Sequence, residues 1–124
     1  MRRSLKCSLV GVAALACLTI VQELRAGLPG NFLLGVLPNA LAAMIIPFVF
    51  ISIYPQERPG EAEGRIWRWF LGAALGACVG LIGWEFLQQS ARRLFFDWND
   101  IIATIMGFAI AVLTGARVMP RQRR

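Results

Sequence analysis

The chain has 124 residues, 57% of them hydrophobic and only 16% charged, with a mean hydropathy of +0.61. A water-soluble domain is nearer half apolar and a quarter charged, and a chain this short could not hide so much apolar surface in a core of its own. Lipid is therefore the expected solvent. The net charge of +6 would suggest nucleic acid in a soluble chain, but no basic stretch is interleaved with base-stacking aromatics, and no nucleic-acid partner is expected. There is no His, and Cys7, Cys17 and Cys78 lie scattered in apolar stretches without metal-ligand spacing. They read as small packing residues, and neither a cofactor nor a metal is expected.

The first span is read from Leu5 to Leu24, roughly the 20 residues that cross a hydrocarbon core. Arg2, Arg3 and Lys6 precede or open it, and Glu23 and Arg25 close it. A cleaved signal is the competing reading, because Ala14-Leu15-Ala16 before Cys17 loosely resembles a processing site and Arg2-Arg3 a twin-arginine signal. The apolar run continues through Leu18-Thr19-Ile20-Val21, however, and a retained span is expected. A turn-rich loop, residues 26–31, leads to the second span, Phe32 to Tyr54. Pro38 and Pro47 lie inside it; membrane helices tolerate interior prolines when neighbours satisfy the freed carbonyls. Asn39 is its one strongly polar interior side chain, and Gly35, Asn39 and Ala43 recur every four residues, which suits a close helix contact with the amide turned inward.

Residues 55–65 form a hydrophilic connector. The third span is read from Ile66 to Gln89, with Trp67 and Trp69 at one end and Trp84 near the other as interfacial anchors. Gly72, Gly76, Gly80 and Gly83 make a small-residue seam that lets another backbone approach. Glu85, Gln88 and Arg92 share a face roughly opposite that seam. With partners expected on both sides, this helix is expected to sit centrally. Ser90 to Phe96, with Arg92 and Arg93, reads as a short amphipathic stretch. The fourth span is read from Asp100 to Met119. Asp97 is placed to cap it, and Asp100 adds negative charge at the same positive helix end. Asp100, Thr104, Gly107, Ala111 and Gly115 fall on one face, polar at one end and small below, as a packed interface would be.

The expected fold is thus all-α, a single bundle of four transmembrane helices. With four spans, both termini and the middle connector share a side. That side carries ten of the Lys and Arg residues, against Arg25, Arg92 and Arg93 on the other. The positive-inside rule then expects both termini in the cytoplasm and residues 84–100 at the outer face.

Asn39, Glu85, Gln88, Arg92 or Arg93, Asp97, Asp100 and Thr104 come from three helices but are expected at similar depth. Ionisable groups at membrane depth usually face the protein interior and pair with one another, so Glu85 is expected to pair with an Arg or with Gln88, with Asp100 close by. Three readings remain open. The cluster is a polar latch holding helices in register, a shallow pocket for a polar headgroup, or a pair of carboxylates divided between acid and base in a small lipid-modifying enzyme. No nucleophile with an adjacent base and no phosphate-binding glycine loop is visible. A further alternative is a structural subunit, homo-oligomeric or part of a larger membrane complex, packing through the glycine seam.

The stretch Glu85-Phe86-Leu87-Gln88, Arg93, Phe96-Asp97, Asp100 and Gly107 resembles the VanZ-like family of small bacterial membrane proteins. The likeness covers about the last 45 residues. Thr104 stands where the family usually has Asn, and the first half, with Leu37-Pro38-Asn39, lacks the His often seen there. The resemblance implies a multi-pass protein of the bacterial plasma membrane and cell envelope. Through the family's best-known member it also implies a link to low-level resistance against lipophilic glycopeptide antibiotics such as teicoplanin. The expected ligand is accordingly a polar lipid, a cell-wall precursor or such an antibiotic. Glu85, Arg93 and Asp100 would form the core of the site, supported by Asn39, Gln88, Asp97 and Thr104.

Overall fold

The computed structural model describes residues 3–54, 63–92 and 97–119, and at 63 and 89–92 the backbone alone. These residues form four helices: α1 Arg3–Gly27, α2 Phe32–Ile53, α3 Glu63–Arg92 and α4 Trp98–Val118. Each is long and apolar enough to cross a bilayer. The shortest, α4, rises about 32 Å, enough for a hydrocarbon core of about 30 Å. The expected all-α bundle of four spans is borne out. The ends differ in detail. The stretch beginning at Ser90 is not separate at its start, because α3 continues through Arg92. The rest of it, residues 93–96 with Arg93, lies outside the described residues.

The helix starts are set locally. Gly30 takes a φ of +88°, the left-handed conformation that costs glycine least, and turns the chain from α1 into α2. Asn31, in extended conformation, accepts from the Leu34 N–H at 3.3 Å and so caps α2. Asp97 does the same for α4: its Oδ1 accepts from the Asn99 backbone at 2.8 Å and from Asn99 Nδ2 at 2.7 Å. α2 runs unbroken through Pro38 and Pro47, and Pro47 is fully buried.

Successive helices run antiparallel. Gly11 of α1 lies against Phe48 and Val49 of α2, Asn39 of α2 reaches Glu85 of α3, and Phe70 of α3 lies against Gly115 of α4. α2 touches all three other helices, whereas α1 and α3 do not meet among the described residues. This corrects the expectation that α3 sits centrally. The central helix is α2, the one span with no charged residue from end to end.

The apolar core lies in the half of the bundle where α1 begins and α4 ends. Phe48 and Phe70 meet edge-to-face at 5.1 Å, and Trp67 stacks on Phe70 at 5.5 Å. Cys7, Ile51, Ile66 and Ala111 fill the space around them. The outer surface is apolar as well: Ile53 is 75% exposed, Val79 68% and Leu113 65%. In water each such side chain would forgo about 1.5–3 kcal/mol of burial. In a bilayer there is nothing to forgo, which is why so small a core suffices.

Two glycines of α4 set the bundle's closest approaches. At Gly107 a Cβ would collide with the carbonyl oxygen of Ala40 and stand 2.8 Å from its carbonyl carbon and Cα. At Gly115 it would stand 2.5 Å from the Phe70 ring. Gly72, Gly76 and Gly80 behave differently, since a Cβ at any of them enters open space. Among the described residues no helix lies against that seam.

Candidate functional site

The polar residues gather at the other end of the bundle, around the short connection between α1 and α2 and the start of α4. Asn39 sits seven residues into α2, about 10 Å from its start at 1.5 Å per residue. Its neighbour Ala40 is held against Gly107, which fixes this turn of α2 and aims the amide across to α3. Asn39 Nδ2 donates to Glu85 Oε1 at 3.3 Å. The pairing joins two helices at membrane depth, where each group would otherwise lack water. Glu85 was expected to meet Gln88 or an Arg; its hydrogen bond among the described side chains comes from Asn39. Gln88, one turn further along α3, is half-buried.

Asp100 opens α4 and is half-buried. Its carboxylate lies within electrostatic reach of Glu85, Asp97 and Arg25. The first two repel it and the last attracts it. Arg25, in the last turn of α1, is a member of this site that sequence reasoning counted only for topology. A signal for it was present: it stands just before the Gly27-Leu28-Pro29-Gly30 turn, on the same side of the membrane as Asp100.

Thr104 is fully buried, and its hydroxyl donates to the Asp100 carbonyl at 2.8 Å. It shapes the first turns of α4 and presents nothing to a surface ligand. Asp97 is half-buried and engaged in capping. The sequence-derived set therefore divides. Asn39 and Glu85 are brought into contact, and Asp100 is within reach of Glu85. Asp97 and Thr104 serve the helix they belong to, and Arg93 lies outside the described residues.

The carboxylates do not converge on a metal: among the described residues no group of three or more His, Cys, Asp or Glu is placed to hold one. The arrangement is instead a mixed-charge surface in which Glu85, Asp97 and Arg25 all lie within electrostatic reach of Asp100, the carboxylates repelling it and the guanidinium countering them. Such a surface favours a polar or charged headgroup over a neutral apolar one. No family model, curated protein or solved structure matches the chain.

Proposed function

We propose that this multi-pass protein is a VanZ-like component of the bacterial cell envelope, lodged in the inner membrane with both termini in the cytoplasm. Its polar cluster then faces outward and engages the polar part of a lipid, a cell-wall precursor or a lipophilic glycopeptide antibiotic. The observation that carries this reading is the Asn39–Glu85 hydrogen bond at membrane depth, with the Asp100 and Arg25 charges beside it. A latch needs only neutral partners there. A carboxylate near two others exceeds what helix registration requires.

Charge and hydrogen bonding can be separated at this site. Glu85→Gln keeps a side-chain oxygen to accept from Asn39 and removes only the charge, whereas Glu85→Leu removes both. Each variant, with Asp100→Asn, is expressed in a host lacking the protein, and membrane level and susceptibility to a lipophilic glycopeptide are recorded. The expected result is a normal level with a lost phenotype for Glu85→Gln and Asp100→Asn. A normal phenotype in both, with loss of folded protein only for Glu85→Leu, would make the cluster a latch.

A second reading, a subunit of a larger assembly, is supported by the open seam at Gly72, Gly76 and Gly80. Gly72→Leu should then release a partner while leaving the outer cluster working.

A further inference from the structure

An apolar groove of about 420 Å³ lies between α2 and α3. Ile46 and Phe50 line it from α2, and Ala73, Gly76, Ala77 and Gly80 from α3. It runs toward the end of the bundle where α3 begins. There Phe50 meets Trp69 at 6.5 Å between ring centroids, and Tyr54, one turn on, meets the same indole at 6.0 Å. At about 100° per residue, Trp69, Ala73, Gly76 and Gly80 share a sector of about 60° on α3, so Trp69 stands at the end of the groove. The indole is 48% exposed. From Trp69 to Gly80 α3 rises about 16 Å, close to the depth of one leaflet in a hydrocarbon core of about 30 Å.

Charge distinguishes this end from the other. By sequence, the segments that reach it carry ten Lys and Arg residues against Glu57, Glu61 and Glu63. The opposite end carries Arg25, Arg92 and Arg93 against Glu23, Glu85, Asp97 and Asp100. Two of the ten flank Trp69 on α3: Arg65 stands about 20° and Arg68 about 80° round the helix from Gly76, and both are exposed. Arg68 forms no hydrogen bond or ion pair among the described residues. We propose that one anionic phospholipid binds here, with an acyl chain in the groove and its phosphate between Arg68 and the Trp69 indole. Basic pockets between membrane helices select anionic headgroups, and an indole at headgroup level offers its N–H to the phosphate. A second copy is disfavoured, because copies in one membrane share an orientation and packing across this face would set like guanidiniums side by side. The site lies at the opposite end of the bundle from the polar cluster and stands whatever that cluster binds.

The test uses the full chain in nanodiscs of equal parts phosphatidylglycerol and phosphatidylethanolamine, with retained lipid counted by native mass spectrometry. One retained phosphatidylglycerol is expected, in at least about fivefold excess over phosphatidylethanolamine. Arg68→Gln removes the charge at an exposed position and should cut that preference about fivefold, the effect of one cation near a membrane surface. Gly76→Leu points its side chain into open space and should lower retention of both lipids together, leaving their ratio unchanged. Arg117→Gln is the control. Arg117 belongs to the same basic end but stands about 160° round α4 from Gly115, which faces Phe70 of α3, so the preference should hold. Equal retention of both lipids by the wild type, or unchanged retention in Gly76→Leu, would overturn the proposal. An equal loss of preference in Arg68→Gln and Arg117→Gln would overturn it too, since the selection would then be diffuse charge and not a site. A dimer that Gly76→Leu dissociates would give the groove to a second copy, with the same consequence.

Discussion

The tightest contact in the bundle is also the easiest to perturb without touching a polar group. Gly107→Ala adds one methyl to α4 where it crosses α2. The new Cβ would meet the Ala40 carbonyl oxygen and stand 2.8 Å from two backbone carbons, where ordinary van der Waals contact begins near 3.4 Å. Backbone cannot rotate away as a side chain would, so the two helices must separate. Overpacking of this kind costs about 1–3 kcal/mol, and a rigid neighbour puts it at the upper end. The greater helix propensity of Ala returns up to about 1 kcal/mol, leaving a net loss of about 2 kcal/mol. Gly76→Ala is the matched control, since it gains the same propensity and meets nothing within 4 Å. Unfolding in mixed micelles with increasing dodecyl sulfate, followed by tryptophan fluorescence, reads both. The midpoint should fall for Gly107→Ala and hold or rise for Gly76→Ala. Equal midpoints would mean that α2 and α4 do not approach closely at Ala40. The variant should also weaken the polar site, because Asn39 adjoins Ala40 and its 3.3 Å bond to Glu85 has little distance left to lose.

Gly115→Ala presses on the Phe70 ring rather than on backbone, so about 1–2 kcal/mol is expected; Phe70→Leu in the same chain should recover part of it, a non-additivity visible in a double-mutant cycle. Asp97→Ala removes the acceptor for two Asn99 donors and should cost about 1 kcal/mol, measured as a lower unfolding midpoint with the other helices unaffected. Asn39→Leu leaves the Glu85 carboxylate without its amide, and a cycle with Glu85→Leu should give a coupling of about 0.6 kcal/mol, with about 1.7 as the upper bound for such bonds in membrane helices. A coupling of zero would show that the bond is not formed in the folded bundle.

The number of helices, their type and most of their ends were legible because each rests on local physics. Runs long enough to cross a bilayer, a Gly at the α1–α2 turn and Asp97 before α4 act within a few residues of themselves. The partner of Glu85 was harder to read. Gln88 and the arginines are close in sequence and share its face, whereas Asn39 lies 46 positions away. It is brought near by the close crossing of α2 and α4 at Ala40 and Gly107 and by the packing of α2 against α3. Arg25 is hard to read for the same reason: it stands 75 positions from Asp100, and only its place before the α1–α2 turn puts the two on one side of the membrane.

The misplaced central helix shows what small residues do and do not say. Gly72, Gly76 and Gly80 permit a close approach, but permission is not occupancy, and on α3 that face is left open. The better guide was charge. A helix that must pack on several sides has no face on which to place an ion, and α2 carries none between Asn31 and Tyr54, despite two prolines that would disfavour it anywhere less enclosed. The same enclosure explains why its single Asn needed a partner on a neighbouring helix. The unfilled face of α3, by contrast, is available to whatever the membrane supplies. Glu85 stands half a turn round α3 from Gly76, bonded to Asn39 of α2, so α3 packs through one face and leaves the other, its glycine face, open.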